Sequence, residues 1–165
     1  MISIEQSMSP HRENSGHKAA RGPERTHVQG ATILLVEDEK SVRKLVALFL
    51  SAHGFKVLAA EHGHSALQLW AEHKNEIDLV LTDLVMPGKL SGREVANRLR
   101  AERPDLKVLY TSGYSAELAD TGLADEEICF LQKPYHPEQL LAVVRALLAN
   151  GPNPIKNAYA ETSSR

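Results

Sequence analysis

The chain has 165 residues, a length that favours a single domain. Its 19 Lys and Arg residues nearly balance its 21 Asp and Glu residues, so the formal net charge of −2 gives no general attraction to nucleic acid or to an anionic membrane. The single cysteine, Cys129, excludes an internal disulfide framework and a metal site built from several cysteines. The sequence has neither an apolar run of membrane-spanning length nor a signal-peptide pattern. We therefore expect a cytoplasmic protein that binds neither nucleic acid nor membrane.

Composition divides the chain into three parts. Residues 1–30 carry few strong apolar side chains and no periodicity, so they cannot offset the entropy lost on ordering. We predict that they form a disordered N-terminal extension. Residues 150–165 contain one glycine and two prolines and are predicted to form a flexible C-terminal tail. Residues 31–149 are long enough to bury one hydrophobic core.

Five short apolar runs within residues 31–149 have the length and composition of strands that are buried on both faces. They span residues 32–36, 56–60, 77–82, 106–111 and 128–131. Such strands belong to sheets that are covered by helices on both sides.

An amphipathic stretch follows each of these runs, with apolar residues at helical spacing. These stretches span residues 41–53, 64–73, 92–103, 115–125 and 136–149. The fourth is the weakest because it contains a glycine. Strands that alternate with helices are joined by right-handed crossovers into a parallel sheet. The sequence therefore predicts an α/β fold with a doubly wound, five-stranded parallel sheet.

Polar side chains follow four of the predicted strands, at the sheet edge where α/β proteins bind ligands. Glu37 and Asp38 follow the first strand, Asp83 the third, Ser112 the fourth and Lys133 the fifth. A single aspartate at a strand end is usually a turn or cap residue, but three carboxylates in one cleft repel one another unless a cation lies among them. Carboxylates without cysteine or histidine favour Mg²⁺. The lysine then offers a point charge, and the serine a hydrogen-bond donor, to a phosphoryl group.

Four segments, ILLVEDE, LVLTDLVMPG, VLYTSGY and FLQKPY, together resemble the receiver domain of two-component response regulators. They occur in the family's order at the ends of the predicted strands, and the resemblance covers residues 31–149. It implies a flavodoxin-like (βα)5 fold with strand order 2-1-3-4-5.

The resemblance also implies the roles of the site residues. Asp83 would be the phosphoacceptor. Mg²⁺ would be held by Asp38, Asp83 and the Val85 backbone carbonyl, with Glu37 often reaching the metal through water. Acidic residues occupy both positions of the family's acidic pair, although the first is glutamate here rather than aspartate.

A second set of roles concerns the response to phosphorylation. By resemblance, Ser112 and Lys133 bind the phosphoryl group, and Phe130 occupies the position of an aromatic switch residue. The Lys133–Pro134 peptide bond is expected to be cis. Phosphorylation would then change the surface made by the predicted helix at 115–125 and the last strand and helix.

The expected partners are a sensor histidine kinase or histidine phosphotransferase as phosphoryl donor and an unidentified downstream protein. We expect a stand-alone response regulator that signals by protein contact and catalyses only its own phosphorylation and dephosphorylation. Two alternatives remain open. One is a receiver module of a hybrid histidine kinase or a phosphorelay intermediate. The other is a small α/β phosphatase, which would need an acid where this chain has Val85.

The helical wheels of the first and last predicted helices suggest a homodimer. Apolar residues are expected to face the core in two stripes, namely Val42, Leu45, Val46 and Phe49 in the first helix and Leu140, Val143, Val144 and Leu147 in the last. Leu48 and Leu141 lie outside these stripes. Exposed apolar flanks favour a partner surface, so these two leucines form the predicted dimer face.

Overall fold

The computed structural model describes residues 28–86, 90–113 and 128–150, in which five strands and four helices occur. The strands are β1 (Thr32–Val36), β2 (Lys56–Ala60), β3 (Ile77–Asp83), β4 (Lys107–Ser112) and β5 (Cys129–Gln132). The helices are α1 (Lys40–Ala52), α2 (Gly63–His73), α3 (Gly92–Glu102) and α4 (Pro137–Asn150). The helix predicted at 115–125, residues 1–27 and residues 151–165 lie outside the described residues. None of the four helices has the length and apolar character needed to span a membrane.

All neighbouring strands are parallel, in the order β2-β1-β3-β4-β5. This confirms the predicted fold and strand order. Because each strand runs in the same direction, the carboxyl ends of β1, β3, β4 and β5 open onto one edge of the sheet. That edge carries every predicted site residue that follows a strand.

The core consists of two apolar layers, one on each face of the sheet. Alternate residues of β1 point into different layers, with Leu34 in the layer beneath α2 and α3 and Leu35 in the layer beneath α1 and α4. Trp70 of α2 is buried in the first layer, and Leu50 of α1 in the second. Burial on both faces explains why the strands read as almost continuous apolar runs.

Two predicted positions on the helix faces are wrong, and one core residue has no counterpart in the prediction. Leu45, expected in the core, is 66% exposed, whereas Leu50, which was not assigned to the core, is fully buried. Val46 and Leu50 lie at the centre of the buried face of α1. At 100° per residue around the helix axis, Leu45 lies about 120° from that centre. Leu141, expected on an exposed flank, is buried because α4 packs in the same layer as α1 and has a wide apolar face. Leu48 is 71% exposed, so only half of the predicted dimer face is on the surface.

The two leucines of the predicted dimer face should respond differently to a charge. Leu141→Glu should lower the free energy of unfolding by roughly 3 kcal/mol because it places an unpaired carboxylate in an apolar layer. Leu48→Glu should change it by less than about 0.5 kcal/mol because that side chain already faces water. Urea unfolding measures both values. Equal effects of the two substitutions would show that Leu141 and Leu48 do not differ in burial.

Candidate functional site

The three predicted carboxylates lie together at the carboxyl edge of the sheet. β1 ends at Val36, and the next two residues are Glu37, which is buried, and Asp38, which is exposed. Asp83 is the last residue of the adjacent strand β3. One carboxylate oxygen from each acid lies within 4.8 Å of the others, and this is the only group of potential metal-binding side chains found among the described residues.

Lys133 reaches this acidic cluster from the end of the edge strand β5. Its Nζ lies 2.7 Å from Glu37 Oε2 and 2.6 Å from Asp83 Oδ2. Lys133 follows β5, which is separated from β3 by β4, so its long side chain crosses the end of β4. The backbone N–H of Lys133 donates to the Ser112 carbonyl at 2.8 Å, and the Lys133–Pro134 peptide bond is cis, as expected.

The charge of Lys133 is stabilised by its two acidic partners. Burial alone would lower the pKa of Lys133, but the hydrogen bonds and charges of Asp83 and Glu37 outweigh burial and raise this pKa well above its usual value. Lys133 is therefore a cation throughout the physiological pH range. Since its pKa is raised on folding, its contribution to stability is complete below the pKa of unfolded lysine and is lost only as the pH rises through the higher folded value.

The turn after β3 orients Asp83. The Val85 N–H donates to Asp83 Oδ1 at 3.1 Å, and the Leu84 N–H donates to the Thr111 carbonyl on β4 at 2.8 Å. The Val85 side chain is 53% exposed. One oxygen of Asp83 therefore accepts a backbone hydrogen bond, while the other accepts a hydrogen bond from Lys133.

The two predicted switch residues lie on neighbouring strands. Ser112 ends β4 and is fully buried. Phe130 of β5 is paired with Tyr110 of β4, is partly buried, and packs against the apolar layer beneath α2 and α3. The helix predicted at 115–125, which would border them, lies outside the described residues.

Sequence reasoning missed Gly92, the first residue of α3. A side-chain carbon at this position would collide with the backbone carbonyl oxygen of Asp83 and with the Thr82 hydroxyl. The absence of a side chain thus lets the start of α3 approach the strand end that carries Asp83. The only sequence signal was local, because Ser91 and Glu94 form a capping box around this glycine.

Comparison with known proteins gives the class of the molecule. Residues 33–145 match the family model of the response regulator receiver domain. The chain is 38% identical over 119 residues to the sensor kinase CckA of Brucella abortus and 39% identical over 117 residues to the response regulator MprA of a Mycobacterium species. The chain belongs to the response regulator receiver domain family, whose members are modules of two-component signalling.

Solved structures agree with this assignment. A receiver domain protein from Clostridium thermocellum is 30% identical, with a TM-score of 0.65 over 73% of this chain and 94% of that one. The receiver domain of the hybrid histidine kinase CckA is 33% identical, with a TM-score of 0.61 over 72% of this chain and 99% of that one. The matched regions span 72% of this chain but 12% of the Brucella kinase, and 70% of this chain but 50% of MprA.

The partnership of Lys133 with Glu37 can be tested by removing the lysine. In metal-free buffer, Lys133→Met should lower the free energy of unfolding by roughly 3 kcal/mol because it leaves a buried carboxylate without a cation. Urea unfolding measures the loss.

Two further variants provide the controls for this test. Lys107→Met removes a lysine that donates to the Leu148 carbonyl at the opposite edge of the sheet, and it should cost only about 1 kcal/mol. Adding Glu37→Gln to Lys133→Met should recover most of the lost stability. A double variant as unstable as Lys133→Met would show that the uncompensated charge is not the cause.

Proposed function

We propose that this chain is a phosphoacceptor of a two-component pathway and that Asp83 receives the phosphoryl group. The observation that carries this proposal is the contact of 2.6 Å between Lys133 Nζ and Asp83 Oδ2 beside two further carboxylates. Asp83 supplies a nucleophile, and Lys133 supplies a cation within reach of the group that is transferred. The apolar residue at position 85 argues against a phosphatase that uses an acid there.

The reaction balances as a transfer between two proteins. A carboxylate oxygen of Asp83 attacks the phosphorus of a phosphohistidine, a P–O bond forms, the P–N bond breaks, and the electron pair leaves with the imidazole nitrogen. Lys133 exchanges one carboxylate partner for a phosphoryl oxygen, which lowers the repulsion between the two anions. The Ser112 hydroxyl then binds the phosphoryl group, and Phe130 transmits the change to a downstream protein. Hydrolysis of the acyl phosphate ends the signal.

The acidic cluster fits Mg²⁺ by the chemistry of its donors. Carboxylate oxygens of Glu37, Asp38 and Asp83 lie within 4.8 Å of one another, and Mg²⁺ prefers oxygen ligands. These residues and the Val85 carbonyl would hold the ion. When bound, it supplies positive charge that offsets the repulsion between a carboxylate and a phosphoryl group.

An apolar groove beside the site supports docking of the phosphoryl donor. This cavity of about 320 Å³ is lined by α1, α4 and the β5–α4 loop, including Leu45, Phe49, Tyr135 and Lys133. Lys133 lines the groove and also contacts Asp83, so a protein seated there would hold its phosphohistidine near the nucleophile. The donor we propose is a sensor histidine kinase or a histidine phosphotransferase.

Similarity to the sensor kinase CckA favours a second candidate function. The chain would then act as a phosphorelay module that passes its phosphoryl group on to a histidine of a phosphotransfer protein. Transfer of label from the phosphorylated chain to such a protein would support this function over direct signalling.

The phosphoacceptor can be tested by labelling with acetyl phosphate or a phosphorylated kinase. Asp83→Asn should abolish the acid-stable, base-labile label because the nucleophilic carboxylate is gone. Asp105→Asn provides the matched control, since this exposed aspartate lies at the opposite edge of the sheet, and it should be labelled like the wild type. Full labelling of Asp83→Asn would refute the assignment.

Metal binding should depend on Asp38 more than on Glu37. Glu37 already accepts a hydrogen bond from Lys133, whereas Asp38 is exposed. Losing a residue outside the coordination sphere commonly weakens metal binding by roughly tenfold. Asp38→Ala removes a proposed direct ligand and should weaken Mg²⁺ binding by more than that, and Glu37→Ala should weaken it less. Calorimetric titration of the two variants measures the difference. Equal or reversed losses would contradict the proposed ligand roles.

Two exposed leucines of α1 offer a matched test of the groove. Leu45 lines it, whereas Leu48 does not. Leu45→Glu should slow transfer from a phosphorylated sensor kinase by roughly fivefold or more, because a charge would occupy an apolar contact. Labelling by acetyl phosphate should remain unchanged. An equal effect of Leu48→Glu would show that docking does not depend on the groove in particular. Sedimentation of the wild type against Leu48→Glu tests the predicted homodimer.

A further inference from the structure

Arg43, in the first part of α1, reaches back to the loop that carries the two acidic residues. Its Nη1 donates to the backbone carbonyl oxygen of Glu37 at 2.6 Å and to that of Asp38 at 3.0 Å. Its Nη2 lies 3.7 Å from a carboxylate oxygen of Glu61, and its side chain is only 15% exposed. The guanidinium group therefore contacts the acidic loop through the backbone.

These two hydrogen bonds constrain the backbone on both sides of Asp38. The Glu37 carbonyl belongs to the peptide plane before the Asp38 Cα atom, and the Asp38 carbonyl belongs to the plane after it. Because each peptide unit is planar, holding both oxygen atoms restricts the two backbone dihedral angles of Asp38. Those angles set the direction in which its side chain leaves the backbone.

Among the described residues, no second side chain of this kind holds the start of α1. Glu39, the residue before the helix, makes no side-chain capping bond, and its carboxylate accepts a hydrogen bond from Ser41 at 2.6 Å instead. The Glu37 N–H donates to the Ala60 carbonyl at 3.1 Å, and the Glu39 N–H donates to Glu37 Oε1 at 3.3 Å, but neither bond involves the carbonyl groups of Glu37 and Asp38. Arg43 is thus the side chain that ties the carbonyl groups of this loop to the helix.

We propose that Arg43 is a positioning residue that holds the Asp38 carboxylate in place for binding a divalent cation. This inference rests on the proposed function of the acidic cluster. The charge of Arg43 acts in the opposite direction, because a guanidinium group near the site repels a cation. Replacing Arg43 with a neutral residue should therefore weaken divalent-cation binding if Arg43 acts by positioning Asp38, and should strengthen it if Arg43 acts only through its charge.

The test measures Mg²⁺ affinity of the full chain by calorimetry. Arg43→Gln should weaken Mg²⁺ binding by about tenfold, as is typical when a residue that orients a ligand is lost. Arg43→Lys keeps the charge but not the planar fork, so it should also bind more weakly than the wild type. If Arg43 acted through charge alone, Arg43→Gln would bind Mg²⁺ more tightly and Arg43→Lys would match the wild type.

Matched variants and a second measurement separate positioning from general damage. Arg98→Gln removes an exposed arginine of α3 and Glu61→Gln removes the other partner of Arg43, and both should bind Mg²⁺ like the wild type. Urea unfolding verifies that each variant is folded. In metal-free protein, the amide resonances of residues 37–40 should shift in Arg43→Gln but not in Arg98→Gln.

The outcomes distinguish this inference from the proposed function. If Asp38→Ala loses Mg²⁺ while both Arg43 variants bind it like the wild type, the positioning role is refuted and the metal site stands. If the wild type binds no Mg²⁺ at millimolar concentration, the proposed metal site fails and the positioning role fails with it.

Discussion

The mutual repulsion of three carboxylates at one sheet edge is the constraint on which the site depends. Adjacent strands β1 and β3 bring Glu37, Asp38 and Asp83 together. The ammonium group of Lys133, which contacts Glu37 and Asp83, comes from a distant part of the chain. Lys133 is 96 residues from Glu37 and 50 from Asp83. The order β2-β1-β3-β4-β5 is what lets its side chain reach both acids across the end of β4. The charge balance of the acidic cluster therefore depends on the order of the strands.

The precision of the site comes largely from the sheet. The backbone N–H groups of Glu37, Leu84 and Lys133 each donate to a carbonyl group at the end of a neighbouring strand, at 3.1, 2.8 and 2.8 Å. These bonds continue the parallel ladders beyond the strands and into the loops that carry the functional groups. The loops are consequently held by a sheet that is buried on both faces, which limits how far the carboxylates can move apart.

Sequence patterns predicted the parallel sheet and the convergence of the acids, because buried strands and polar residues at their ends leave a clear signal, whereas the strand order was implied only by the family resemblance. They failed at Leu45 and Leu141, since periodicity identifies an apolar stripe but not its centre, which depends on the neighbouring helix. They also did not pair Lys133 with Glu37, because the crossing of β4 is a property of the folded sheet. Gly92 and Arg43 were missed because each acts on backbone atoms, for which the side-chain pattern gives no signal.

The charge balance links the lysine to the proposed metal. Three carboxylates and one ammonium group leave two net negative charges, which is the charge that one divalent cation neutralises. In the proposed reaction Lys133 turns toward a phosphoryl oxygen, and the side chain of Glu37, only 5% exposed, then loses its partner. A buried carboxylate without a cation costs several kcal/mol, so Lys133 is free to leave only when another positive charge lies beside Glu37. The contact between Lys133 and Glu37 would therefore make the proposed phosphorylation depend on prior binding of a cation in the acidic cluster.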